Sequence, residues 1–219
     1  DYVDHAGRYR RSAEYVDILR RVWTETHPFD HEGEFYKFEA AHADIRCASD
    51  PHIPIYGGGG SDAAVDLLSP GLDVFMLWGE PLADTAAFMA RVRNAAKGRR
   101  ISFSLSTRPI LAETDDKAWD RARDIHAQIK ARMGSRAAAT PENVGSQRLL
   151  QTAADGEVHD TCLWTSLAEL TGARGNSTAL VGSPETVAKA MVAYYDICAT
   201  PLHSTPLHST PLHSTPLHS

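Results

Sequence analysis

Apolar residues recur at helical spacing near the start of the chain. From Tyr9 to about Thr26, one helical face carries the apolar side chains Tyr15, Ile18, Leu19, Val22 and Trp23. Because arginines and a glutamate occupy the other face, this pattern predicts an amphipathic helix that ends before Pro28. Residues 29–46 follow, where Gly33 precedes a short alternating run, which predicts a small β-hairpin.

From residue 53 onward, short apolar runs alternate with helical patterns. The runs at 53–56, 73–78 and 101–111 predict three buried strands. In the last run, only the first part is predicted to be a strand. Helical patterns are predicted over 63–68, 83–97, 115–133, 141–171 (one or two helices) and 184–197. Buried strands that alternate with helices are typical of a parallel sheet with helices outside it, so the fold class is α/β.

The chain ends in low-complexity sequence. Residues 200–219 are four copies of Thr-Pro-Leu-His-Ser, and a proline in every copy removes a backbone donor. This segment is predicted to be an extended, disordered tail. The expected domains are therefore 1–199, one folded domain, and 200–219, the repeat.

Composition narrows the possible partners and compartment. The 219 residues carry 22 Lys+Arg against 28 Asp+Glu, a formal charge of −6, which argues against a nucleic-acid binder. No apolar run reaches the roughly 18 residues of a membrane helix, so no membrane partner is expected. Three scattered cysteines argue against a disulfide framework, and they therefore favour a reducing, cytoplasmic compartment. No spacing of His, Cys, Asp or Glu predicts a metal site.

The run Gly57–Gly60 is the main candidate for chemistry. A strand that passes through glycines into a helix N-terminus presents free N–H groups, an arrangement that commonly binds phosphate. Gly58, Gly60 and Ala63 also fit the dinucleotide pattern G-x-G-x-x-A, and Glu80 follows about 20 residues later. An NAD(P)-binding α/β oxidoreductase is therefore one functional hypothesis.

Four stretches, in order along the chain, carry a resemblance to a known family. They are residues 8–15 with 29–36, residues 54–64 (Pro-Ile-Tyr-Gly-Gly-Gly-Gly-Ser-Asp-Ala-Ala), residues 73–81 (Asp-Val-Phe-Met-Leu-Trp-Gly-Glu-Pro), and residues 174–182. Together they resemble the bacterial luciferase-like flavin monooxygenases, and most closely the alkanesulfonate monooxygenases. Four ordered motifs are more specific than one glycine pattern, so this hypothesis is favoured over the dinucleotide one.

The resemblance implies a TIM barrel with its site at the carboxyl ends of the strands. Only part of the barrel is expected here, without the N-terminal strands and the last strand. Such enzymes use reduced FMN (FMNH2), supplied by a separate NAD(P)H:flavin reductase, and O2. The expected substrate is an organosulfonate, converted to an aldehyde and sulfite. Members of the family are homo-oligomers.

The resemblance also implies roles for particular residues. The FMN phosphate is expected at Tyr9, Gly58, Gly59, Gly60 and Ser61. Trp78 corresponds to an active-site tryptophan, and Arg174 to an arginine on a mobile loop that closes over sulfonate and flavin. A guanidinium fork suits a sulfonate.

One strand departs from the alkanesulfonate pattern. Ser106 and Arg108 stand where the sulfonate enzymes have an arginine and a histidine. Arg108 is still expected to direct a cation into the barrel mouth. The remaining alternative is a non-catalytic remnant, and the chain alone is expected to bind flavin weakly at best and to show no turnover.

Overall fold

A computed structural model describes residues 3–45, 47–133, 141–175 and 177–199. The helices are α1 (His5–Thr24), α2 (Asp62–Leu68), α3 (Leu82–Ala95), α4 (Asp115–Met133), α5 (Val144–Asp155), α6 (Ser166–Thr171) and α7 (Pro184–Ala199). The strands are β1 (Phe29–Glu32), β2 (Lys37–Ala41), β3 (Tyr56–Gly58), β4 (Val74–Trp78), β5 (Ser102–Ser106), β6 (Pro109–Leu111), β7 (Val158–His159), β8 (Leu163–Trp164) and β9 (Ala179–Gly182). The repeat at 200–219, and with it the predicted disorder, lies outside the described residues.

Helix α1 begins a turn earlier than the apolar pattern indicates. The side chain of Asp4 accepts a 2.6 Å hydrogen bond from the backbone N–H of Gly7. Aspartate is a favourable N-cap because its carboxylate satisfies a donor that the helix leaves free. This cap extends the helix to His5, and that extension brings the first turn of α1 to the site described below.

The predicted hairpin is present as β1 and β2, which pair antiparallel. It is held against α1 by the half-buried carboxylate of Glu14. This carboxylate accepts hydrogen bonds from the backbone N–H groups of Phe35 (3.0 Å) and Tyr36 (2.9 Å), and it is 2.8 Å from Nε2 of His31. The hairpin is therefore attached to the helix by a charged group with three partners.

Strands β3, β4 and β5 form a parallel sheet in that order, with α2 and α3 as the connecting helices. The α/β alternation predicted from the sequence is thus present. The first strand lies further along than predicted: pairing starts at Tyr56 and continues into the glycine run, rather than covering 53–56. Pro54 has no N–H to donate, whereas Gly57 and Gly58 pair freely with β4.

The sheet is covered by helices on one face. Phe75 and Leu77 of β4 pack with Phe88, Met89 and Val92 of α3 in the main hydrophobic cluster. Met76, on the opposite face of the same strand, is 49% exposed. The prediction of buried strands is therefore wrong at Met76, and it is also wrong for β3 and β5, in which no residue is fully buried.

A second sheet has the order β6-β9-β8-β7. β6 follows β5 after only two residues, and it pairs parallel to β9. β8 pairs antiparallel with the other edge of β9, so Leu180 is paired on both sides. Strands β6, β7, β8 and β9 were not predicted, because runs of two to four residues do not establish a period.

None of the helices in the described ranges combines the length and the apolar character needed to cross a membrane.

Candidate functional site

A cavity of about 320 Å³ lies at the carboxyl ends of β3 and β4. Five parts of the fold line it: the first turns of α1, the glycine loop, the end of β4, α3 and the start of α5. The lining residues are His5, Tyr9, Gly58, Gly59, Gly60, Ser61, Met76, Leu77, Trp78, Glu80, Thr85, Phe88, Asn143, Val144, Gly145 and Arg148. Six residues that the resemblance assigns to the site therefore line this one cavity: Tyr9, Gly58, Gly59, Gly60, Ser61 and Trp78.

The glycine loop leaves no room for side chains. A Cβ on Gly59 would lie 2.5 Å from the Cβ of Ala64 and 2.9 Å from the hydroxyl oxygen of Tyr9. A Cβ on Gly60 would lie 2.8 Å from the backbone nitrogen of Gly145. Glycine is therefore required for close approach, and the loop presents backbone to the cavity.

The first turns of α1 supply the other side of this loop. Tyr9 places its hydroxyl against Gly59, and His5 contacts the Tyr9 ring edge-on, with 5.1 Å between the ring centroids. The two residues are four apart and therefore share a helix face. His5 was not predicted, since the sequence pattern begins the helix after it.

Trp78 forms the wall between the loop and α5. Its ring edge would be 3.2 Å from a Cβ on Gly145, so the first turn of α5 packs directly on the indole. That turn is fixed by Asn143, whose side-chain oxygen accepts a 2.7 Å hydrogen bond from the N–H of Ser146. An Asn cap before Val144 was a readable signal for the helix, but no motif marked it as part of a site.

Glu80 and Arg148 form an ion pair in the cavity wall, through Oε2 and Nη2. Their side chains are only 13% and 28% exposed, respectively. Burial raises the pKa of Glu80 above its ordinary value, although the charge and the hydrogen bond of Arg148 act in the opposite direction. The Arg148 guanidinium also lies 4.5 Å from the centroid of the Phe88 ring. From the sequence, Glu80 has a role only in the dinucleotide hypothesis, and Arg148 was not predicted.

The main chain of Glu80 is held from two directions. Its carbonyl oxygen accepts a 2.6 Å hydrogen bond from the Tyr194 hydroxyl and a 3.1 Å hydrogen bond from the Thr85 hydroxyl. Neither donor depends on the carboxylate. These two hydrogen bonds therefore hold the Glu80 backbone independently of the charge of its side chain.

Helix α2 contributes little positive potential to the glycine loop. It has seven residues, and Ser61 caps it by accepting a 3.2 Å hydrogen bond from the N–H of Ala64. Its first turn carries the carboxylate of Asp62, which pairs with Arg91. A short helix with an acid at its start is a poor anion attractor by itself, so the cavity's attraction for anions has to come from other groups.

Arg108 and Arg174 do not line this cavity. Arg108 is exposed between β5 and β6, and Arg174 is exposed in the connection from α6 to β9. The structure therefore brings together the predicted cofactor residues and Trp78, but it does not bring these two arginines to the same wall. Their assigned roles remain predictions.

Among the residues that the structure describes, no group of three or more His, Cys, Asp or Glu side chains is arranged to hold a metal ion.

An α/β sheet with its cavity at the carboxyl ends of parallel strands defines the class of proteins whose sites are built from βα loops. Residues 2–200 match the family of luciferase-like monooxygenases, and the chain belongs to that family. The family named from the four sequence motifs is thereby confirmed. Its closeness to alkanesulfonate enzymes in particular remains a proposal.

Solved structures show the same fold. EDTA monooxygenase from Chelativorans sp. BNC1 superposes with a TM-score of 0.66 at 17% identity, over 89% of this chain and 53% of that one. A riboflavin lyase, solved with modified FMN and riboflavin, superposes with a TM-score of 0.65 at 17% identity, over 90% of this chain and 52% of that one. Long-chain alkane monooxygenase superposes with a TM-score of 0.63 at 16% identity, over 90% of this chain and 51% of that one. The chain spans about half the length of these relatives, so the predicted partial barrel is confirmed.

Proposed function

We propose that this chain carries the flavin-binding wall of a monooxygenase that uses reduced FMN, supplied by a separate NAD(P)H:flavin reductase, and O2. The proposed substrate is a small organosulfonate, which would yield an aldehyde and sulfite. The observation that supports this most is the contact between the glycine loop and Tyr9. The loop forms a backbone-lined cradle at Gly59 and Gly60, where a Cβ would clash with Ala64, Tyr9 or Gly145.

The residues of the wall fit the parts of FMN. The cradle and the Tyr9 hydroxyl offer hydrogen-bond donors to a phosphate. Trp78 offers aromatic surface to a ring system. When bound, reduced flavin supplies the electrons for oxygen chemistry. The chain's own contribution is to bind the flavin, orient it and exclude water.

Arg108 and Arg174 are proposed to act on the substrate rather than on the phosphate. Both are exposed in loops, and a loop arginine can reach a sulfonate that enters from solvent. Replacing either with alanine should leave flavin affinity unchanged. Sulfonate-dependent turnover, if the chain has it, should fall.

The dinucleotide hypothesis is less well supported. It requires Glu80 to accept hydrogen bonds from a ribose, but the Glu80 carboxylate is paired with Arg148. The non-catalytic alternative differs from the main proposal only in turnover, so binding and activity must be measured separately.

The test is an anaerobic titration of the chain with FMNH2, followed by tryptophan fluorescence. Saturable quenching that NADPH does not reverse supports the proposal. A folded chain that shows no quenching contradicts it. Sulfite release from alkanesulfonates, with a flavin reductase and O2 added, then separates the enzyme from the non-catalytic alternative.

A further inference from the structure

The charges in the cavity wall nearly cancel. Among the described lining residues, Arg148 is the only lysine or arginine, and Glu80 is the only acid. The two are paired with each other. An anion entering the cavity is therefore attracted only if the guanidinium can serve a second partner.

Arg148 has the donors to do so. A guanidinium carries five N–H donors in a planar fork, and the hydrogen bond to Glu80 uses Nη2. Phe88 supports one face of the plane, 4.5 Å from its ring centroid. The group is thus oriented before any ligand arrives, which reduces the entropy lost on binding.

Arg148 also lies beside the glycine cradle. It follows Gly145 by three residues on α5, so the two share a helix face. Helical side chains lean toward the N-terminus of their helix, which directs Arg148 over the turn that contacts Gly60 and Trp78. Arg108 and Arg174 are outside this wall, and α2 is a weak source of positive potential.

We propose that Arg148 binds the oxyanionic group of the cavity's ligand, a flavin phosphate or a substrate sulfonate, while Glu80 holds the guanidinium in position. This inference rests on the proposed function, since it concerns the same cavity. Glu80 is a positioning residue that also competes for the cation. Its replacement by glutamine keeps the shape of the side chain and removes the competing charge.

The first test compares oxidised FMN with riboflavin, which lacks the phosphate. In Arg148→Met we expect FMN affinity to fall about tenfold, the loss of one charged hydrogen bond, while riboflavin affinity stays constant. Arg91→Met is the matched control, because Arg91 also lies over Phe88, at 5.6 Å, but pairs with Asp62 outside the cavity wall. Both affinities should be unchanged in this control.

The second test does not depend on flavin. The Nε–Hε resonance of Arg148, assigned by its absence in Arg148→Lys, is followed by NMR during titration with sodium methanesulfonate or inorganic phosphate. We expect a saturable shift that occurs at lower anion concentration in Glu80→Gln. The lysine variant keeps a positive charge that can pair with Glu80. It therefore disturbs the fold less than Arg148→Met, which leaves the Glu80 carboxylate without a partner.

The outcomes are distinct. An FMN-selective loss in Arg148→Met assigns the phosphate as the bound group, and a methanesulfonate shift without that loss assigns the sulfonate. A chain that binds neither flavin but shows the shift contradicts the proposed function and supports the role of Arg148. The inference is overturned if neither FMN selectivity nor the resonance of Arg148 changes.

Discussion

The hydroxyl of Tyr194 donates a 2.6 Å hydrogen bond to the main-chain carbonyl of Glu80, joining α7 to the cavity wall. Tyr194 is 4% exposed. Burial, more than the nearby acidic groups, raises its pKa far above the ordinary value for tyrosine, so the phenol stays protonated. The bond is therefore present over the whole working pH range.

Removing that hydroxyl should weaken the fold. Tyr194→Phe is expected to lower the free energy of unfolding by about 1 kcal/mol, because the Glu80 carbonyl loses one of its two side-chain donors. Urea denaturation measures the change. Tyr195→Phe is the control, since that side chain is 54% exposed. Equal midpoints for the two variants would contradict the prediction.

The glycine loop gives a prediction about binding. Gly59→Ala places a methyl 2.5 Å from Ala64 and 2.9 Å from the Tyr9 hydroxyl oxygen, which displaces the cradle. We expect FMN affinity to fall at least about tenfold, the loss of one charged hydrogen bond. Gly156→Ala is the matched control outside the cavity, because its extended backbone accepts alanine and its nearest contact is 3.4 Å. Visible difference spectra of oxidised FMN provide the measurement.

Trp78 should contribute aromatic contact to the ligand. Trp78→Leu is expected to weaken FMN binding about two- to twelvefold, since aromatic pairs contribute about 0.5–1.5 kcal/mol beyond area burial. Trp23→Leu is the control. Trp23 contacts His52, with 6.2 Å between ring centroids, and it does not line the cavity. The same spectra are used, and an equal loss in both variants would indicate general destabilisation instead of a contact.

The attachment of the hairpin should depend on pH. Burial alone would raise the pKa of Glu14, but the hydrogen bonds from His31, Phe35 and Tyr36 together lower it below its ordinary value. A lowered carboxylate pKa contributes stability at pH values above the unfolded pKa, and this contribution is lost as the pH falls through the folded pKa.

Glu14→Gln tests this dependence. At neutral pH it should lower the free energy of unfolding by roughly 1.5–3 kcal/mol, the range for hydrogen bonds to charged groups. The difference from the unaltered chain should shrink as the pH falls below 4.5, the ordinary value for this group. Glu34→Gln, an exposed hairpin residue paired with Arg10, should have a small effect at every pH. A pH-independent difference for Glu14→Gln would show that the charge is not involved.

The long periodic elements were predictable from the sequence. Helix α4 has the predicted bounds 115–133, and α2 covers the predicted residues 63–68, after its cap Ser61. Both depend on local signals, a helical period and a capping side chain. The start of α1 at His5 was misplaced, because its cap, Asp4, precedes the apolar pattern.

The composition of the cavity was only partly predictable. The glycine loop, Tyr9 and Trp78 belong to recognisable motifs. Arg148 does not, because its role depends on the contact between Gly145 and Gly60, which are 85 residues apart in the sequence numbering. A contact of that span is set by the tertiary fold, and the chain around Arg148 shows only an ordinary amphipathic helix.

The two sheets differ in which backbone groups are already paired. β8 runs antiparallel along the outer edge of β9, with the N–H of Val181 bonded to the Cys162 carbonyl, so those backbone groups are already used. In the part of the chain that the structure describes, β3 pairs with β4 alone. A further parallel strand that adds beside Tyr56–Gly58 would meet an edge that β4 does not occupy. Such a strand would extend the three-stranded sheet directly alongside the glycine loop, so that adding the strand and shaping the cavity would be a single event.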